Sequence, residues 1–221
     1  MSFGNTSLWV RDPTLAQFDD SYFEKGLQLM ESGDFEGAIA LFDSAIKLGL
    51  GDIAGIHVCR GEALAALGRM DAAIESISAA LTIEPYLAAA YLARGNIRND
   101  QREFDLAIND YTMAIHIEPD FDEAYYRRAL AYEERKRYAD AEADLTRTLD
   151  LNPNALGAYE ARGRMRAAQF KFDEAIADLS FYLRSGGGKQ FDNHSETQSY
   201  LLILRAQRLF WRLIPWVGRR G

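Results

Sequence analysis

The chain has 221 residues, of which 48% are apolar and 26% charged, with a formal net charge of −8. That length suits one sizeable domain or two small ones, and the composition is that of an ordered, soluble chain rather than a disordered one. The single cysteine, Cys59, excludes an internal disulfide framework and a cysteine-rich zinc module, and the acidic balance excludes a surface built to neutralise nucleic-acid phosphates.

The first 18 residues form an N-terminal segment with neither the basic start nor the apolar run of a secretory signal. Asp12-Pro13 reads as an N-cap followed by a first-turn proline, so a helix is expected to begin there and continue beyond residue 18. No stretch has the roughly 18 uncharged apolar residues of a spanning helix. A reducing cytoplasm is the expected setting, and a lone thiol is compatible with it.

From residue 19 onward the sequence repeats itself. Ile83-Glu84-Pro85, Ile117-Glu118-Pro119 and Leu151-Asn152-Pro153 fall 34 residues apart. Extending that register gives columns. One is Tyr22, His57, Tyr91, Tyr125 and Tyr159; a second is Gly26, Gly61, Gly95, Ala129 and Gly163. A third is Ala38, Ala73, Ala107, Ala141 and Ala175; a fourth is Phe42, Ile77, Tyr111, Leu145 and Leu179. A fifth is Phe35, Met70, Phe104, Tyr138 and Phe172. The copies span 19–52, 54–87, 88–121, 122–155 and 156–189.

Each copy reads as a helical hairpin. In the third, Tyr91, Gly95 and Arg98 precede a polar break at Asp100-Gln101-Arg102. Ala107, Ile108, Tyr111, Ala114 and Ile115 then recur at the three-to-four spacing of an amphipathic helix, which ends before Pro119 because the residue before a proline disfavours helical backbone. The small columns allow two helix axes to approach, and the large columns fill the space beside them. One hairpin cannot bury both apolar faces, so the copies are expected to stack.

This pattern resembles the tetratricopeptide repeat family over 19–189. The resemblance implies an all-α, right-handed solenoid of five hairpins, followed here by a C-terminal helix. Departures are His57 in the aromatic column, Thr148 and Tyr182 where a small residue is expected, and Leu50 and Gly187 in place of the closing proline. The resemblance also implies protein–protein interaction, with the first helix of each hairpin lining a groove that holds a partner peptide. Carrying the groove places over gives Phe23 and Leu27, Val58 and Glu62, Leu92, Asn96 and Asn99, then Tyr126, Arg127, Leu130 and Glu133, and finally Arg164. The set is apolar and mildly acidic, which suits an amphipathic helix or extended segment with apolar anchors and basic residues. The subclass that clamps the C-terminal carboxylate of chaperones needs two asparagines and several cations over three consecutive repeats. Here only Asn96 matches when the third copy starts the set, only Arg127 when the second does, and nothing when the first does. The chain's own Leu8-Trp9-Val10 is an alternative occupant of the groove.

Signs of chemistry are weak. Gly49-Leu50-Gly51-Asp52 follows a helix rather than a strand, so it reads as a turn and not a dinucleotide loop. Gly186-Gly187-Gly188-Lys189 lacks the hydroxyl residue and the upstream glycine of a phosphate loop, and reads as a linker after a glycine C-cap. His57 reads as a packing residue, His116 as a solvated helix end, and His194 as part of the linker. No catalytic residue, metal or cofactor is expected.

The segment 190–221 differs in character. It carries five basic and two acidic side chains, against 20 and 31 in 1–189. Ser195 and Gln198 form a capping box and Pro215 a stop, predicting a helix over about 196–213. Arg205, Arg208 and Arg212 fall in one narrow stripe, and apolar side chains fill most of the remaining circumference. That is more apolar surface than one neighbour can cover. Leu202, Leu209, Phe210, Trp211, Leu213 and Trp216 are therefore candidates for self-association into a homodimer or for contact with another protein. The alternative is a membrane-peripheral structural protein, with Trp211, Trp216, Arg219 and Arg220 as interface anchors. The Gly186–Gly188 segment is expected to act as a hinge.

Overall fold

A computed structural model of the chain describes residues 13–213, with side chains from 22 to 211. Every regular element among them is an α-helix. The chain divides into two compact units, with the boundary after Ile97. The fold class is all-α, of the helical-hairpin solenoid type.

The first unit contains α1 (Pro13–Glu31), α2 (Phe35–Leu48), α3 (Ile53–Ala66), α4 (Met70–Ile83) and the larger part of α5 (Ala88–Asp100). Helix α1 is described from Pro13 onward; the expected Asp12 cap and the Leu8-Trp9-Val10 filler lie outside the described residues. Asp34 caps α2 by accepting from the Gly37 amide at 3.0 Å, and Asp52 caps α3 by accepting from Gly55 at 3.1 Å. Gly49, with φ 66°, closes α2 in left-handed backbone. The glycine-rich stretch 49–52 is thus a helix-to-helix turn.

The columns are the packing code. Ala38, Ala73, Ala107, Ala141 and Ala175 are all fully buried, and so are Phe42, Ile77 and Leu179. A Cβ added to Gly61 would stand 2.5 Å from the Ile77 side chain and 3.1 Å from the Ala73 carbonyl. The two helices of that hairpin therefore meet at a separation only glycine allows. At Gly163 the added Cβ would stand 2.8 Å from Leu179. His57 is half-buried, with its ring 3.5 Å from the Ser76 hydroxyl, and burial followed by the Arg60 charge lowers its pKa.

The second unit contains α6 (Phe104–Ile117), α7 (Asp122–Glu134), α8 (Tyr138–Leu151), α9 (Leu156–Ala168), α10 (Phe172–Arg184), a single turn α11 (Gly187–Gln190), and α12 (His194–Leu213). Helices α4, α6 and α8 end two residues before Pro85, Pro119 and Pro153, and the residue after each leaves helical backbone, with φ of −124°, −124° and −133°.

An ion-pair ladder runs through this unit in the same register. Arg128 forms a bidentate pair with Asp144 at 2.7 and 2.8 Å and donates to Thr112 at 2.9 Å. Arg162 repeats the arrangement one copy later, with Asp178 at 2.8 and 2.9 Å and Thr146 at 3.4 Å. Each guanidinium lies over the aromatic ring three residues earlier, Arg128 over Tyr125 at 5.7 Å and Arg162 over Tyr159 at 5.6 Å. The aromatic column thus carries the cation that ties neighbouring helices together. Arg94 holds the same place in the first unit, 3.1 Å from the Ser78 hydroxyl.

Residues 186–190 correct the expectation of an open linker. Gly186 leaves α10 with φ 86°, but Gly187 and Gly188 are buried in α11. An added Cβ on Gly187 would strike the Tyr182 ring, and one on Gly188 would stand 2.8 Å from the His194 Cα. Gly187 and Gly188 are needed for contact rather than for freedom. Tyr182, too large for its column, fills the space Gly187 leaves and donates its hydroxyl to Asn193 at 2.7 Å. The capping box is also corrected: α12 starts at His194, so Ser195 lies inside its first turn and the Thr197 amide bonds the Asn193 carbonyl at 2.9 Å.

Candidate peptide-binding face

The expected groove residues fall into three situations. Val58 and Leu92 are buried in the core. Val58 packs with Ile39, Ala54 and Ala93, because a first helix of a hairpin is covered on more than one side. Phe23 is half-buried, its ring 6.2 Å from Phe42. Leu27 is exposed, and Asn96 and Asn99 are half-buried. Glu62 is exposed as a whole, yet desolvation of its carboxyl raises its pKa. Burial, reinforced by Glu62 and Asp52, pushes the Cys59 thiol up to about 11.

The second unit brings charged members together. Arg164 on α9 donates to Glu133 on α7 at 3.0 Å and lies 3.6 Å from Glu160 one turn back. Burial raises the pKa of Glu133 despite the Arg164 charge. Burial likewise raises that of Glu160, opposed by Arg164 and reinforced by Glu133 and Glu196. One guanidinium thus stands among three carboxylates. Tyr126 is half-buried on the same helix as Glu133, and burial raises its pKa as well. Leu130 packs half-buried on the cluster of Ala129, Leu145 and Met165. Arg127 is exposed and paired along its own helix with Glu123 at 3.0 Å.

Beside this surface α9 and α12 enclose an open cleft of about 630 Å³. Glu160 and Arg164 line one wall; Asn193, Glu196, Tyr200 and Ile203 line the other. A smaller recess of about 330 Å³ lies at the first turns of α7 and α9, bordered by Tyr126, Arg127 and Phe191. The α12 contribution was missed in the sequence, although the register contains it: Glu196 falls 34 residues after Arg162 and Thr197 after Gly163. Helix α12 thus begins in the place of a sixth first helix, with Thr197 buried where glycine or alanine stands in the other copies.

Helix α12 has two apolar faces. Leu201 and Leu204 are buried in a cluster with Ala167, Ala175 and Leu179, and Thr197 is buried as well. Leu202, Ile203, Leu209 and Phe210 are 63%, 54%, 60% and 61% exposed. Trp211 is partly covered by Phe170, at 5.7 Å between ring centres. Leu213 lies beyond the described side chains, and Trp216 lies outside the described residues. No group of His, Cys, Asp and Glu able to hold a metal occurs among the described residues, and none of their helices is long and apolar enough to cross a membrane.

Models of the tetratricopeptide repeat match residues 23–88, 95–135 and 122–155. The chain belongs to the tetratricopeptide repeat family. No curated protein matches it in sequence. Among solved structures it is similar to a crystal structure of MamA, at 23% identity over 78% of this chain and 93% of that one, with a TM-score of 0.66. MamA from Desulfovibrio magneticus RS-1 is 18% identical over 77% of this chain and 96% of that one, with a TM-score of 0.68. A thermophilic repeat protein in Thermus thermophilus is 19% identical over 83% and 99%, with a TM-score of 0.62. These likenesses establish the fold.

Proposed function

We propose that this chain is a non-enzymatic interaction scaffold that takes a basic amphipathic segment of a partner protein across α7, α9 and α12. The family makes a protein-interaction role the general expectation. The observation that carries the finer reading is the cleft in which Glu133, Glu160 and Glu196 surround the single cation Arg164. Glu133 and Glu160 already share the one guanidinium, and Glu196 stands beside them, so a lysine or arginine of a partner would offset the excess negative charge. Tyr126, Leu130, Tyr200 and Ile203 supply apolar and aromatic surface beside those charges. The uncovered face of α12 is read as a second contact, one that joins copies of the chain. A cytoplasmic setting completes the reading, since the inert Cys59 makes no demand for an oxidising one.

A peptide array tests this. Helical 15-residue peptides share one apolar stripe, and their flanking charges run in steps from positive to negative. Retention by the full chain should climb with positive charge and fall for Glu133→Gln and Glu160→Gln. Retention indifferent to peptide charge would remove the cleft from the account.

A further inference from the structure

We infer that α12 pairs in parallel with α12 of a second copy about a two-fold axis running along the helix. The inference rests on reading the uncovered face as a self-association surface, and it specifies which residues meet. At about 100° per residue, Ser199, Leu202, Ala206 and Leu209 form an alternating three-and-four seam, the spacing of a two-stranded coiled coil. Ile203 and Phe210 widen it on one side. The face opposite is already covered by α10, so the seam is the part of the helix left for a partner.

The two edges of the seam carry opposite charge. Glu160 and Glu196, with the one cation Arg164, line the cleft on the Ile203 side, which leaves that edge acidic on balance. Arg184 and Arg205, with Ser180 and Gln198, line a second cleft on the other side. A two-fold perpendicular to the helix would set like edges side by side, basic on basic. A two-fold along the helix sets the Arg184–Arg205 edge of one copy beside the Glu160–Glu196 edge of the other, twice over. Charge complementarity therefore selects the second copy as occupant and the parallel arrangement as its pose. The exposed seam amounts to on the order of 450 Å² per copy, so a pair buries about 900 Å², below the size of stable interfaces and in the range of weak, transient ones. The dimer is accordingly concentration-dependent. Because the acidic edge is also the cleft wall, a second copy and a basic peptide compete for it.

Two measurements on the full chain test the inference. Oxidation of Leu202→Cys should give a disulfide-linked dimer, because a parallel pair sets each residue of the seam opposite its own copy. Cys59 stays inert because its thiol is held at about 11. In sedimentation equilibrium, Glu196→Arg and the double variant Arg184→Glu/Arg205→Glu should each weaken self-association by about tenfold, and their mixture should recover it as a heterodimer. A dimer that neither cross-links through residue 202 nor responds to the charge changes overturns the parallel pairing but leaves self-association standing. A chain that stays monomeric at every concentration overturns both, and flotation of that monomer with phosphatidylserine vesicles would assign the seam to a lipid surface.

Discussion

Arg102, Lys136 and Phe170 hold left-handed backbone, with φ of 64°, 56° and 62°. All three occupy the turn between the helices of a hairpin, where Gly33 and Gly68 stand in the earlier copies with φ of 82° and 74°. Side chains beyond glycine are strained there. Lys136 is exposed and gains nothing visible in return, so Lys136→Gly should stabilise the protein by about 0.5–1 kcal/mol after the larger entropy of the unfolded glycine is counted. Urea unfolding measures it, and an unchanged midpoint would deny the strain. Phe170 differs because its ring packs on Phe172 and Trp211, so Phe170→Gly should cost α12 part of its anchorage. A second residue-level consequence concerns Glu160. Burial raises its carboxyl, so the folded state holds that proton more tightly than the unfolded chain. The resulting cost is absent below the ordinary value of about 4.3 and complete above the raised one. Glu160→Gln should therefore raise Tm by about 1–3 °C while weakening a basic peptide. Peptide affinity of the unaltered chain should fall on acidification at a pH above that ordinary value. A Tm lowered by the substitution would show that the Arg164 contact outweighs the burial.

At the scale of helices, much of the fold could be read in advance because each column does one job in every copy. Alanine at 38, 73, 107, 141 and 175 is fully buried without exception. The ladder was equally periodic and went unread, since Arg128 with Asp144 looks like two surface charges until the helices between them are packed. Removing only Asp144, by Asp144→Ala, leaves the Arg128 charge buried and should cost about 3–5 kcal/mol. Arg128→Met with Asp144→Leu should cost far less, and a calorimetric Tm series separates the two. Equal losses would mean that packing rather than charge dominates. Val58 and Leu92 were assigned to the groove because family resemblance assigns a helix to a face without saying which neighbours cover each residue. The glycines at 186–188 suggested a hinge from composition alone. Tyr182, which requires Gly187 to lack a Cβ, is the contact that composition could not reveal. The stripe of Arg205 and Arg208 was visible, but the division of α12 into two apolar faces depends on where α10 lies; Arg208 pairs with Asp173 on that neighbour.

For the whole molecule, the sequence sets an acidic stretch at 1–189 against a basic one at 190–221. Helices α7 and α9 present desolvated carboxylates, and α12 presents a wall of the cleft and the proposed seam. On the proposed reading the peptide and the second copy share that edge, so raising the concentration of a basic segment should shift dimer to monomer. Hydrogen–deuterium exchange of the full chain, with and without the best-retained positively charged peptide of the array, tests the central claim most directly. The account predicts slowed exchange in α7, α9 and the first half of α12. Slowing confined to α1–α4, with those three helices unchanged, would contradict it.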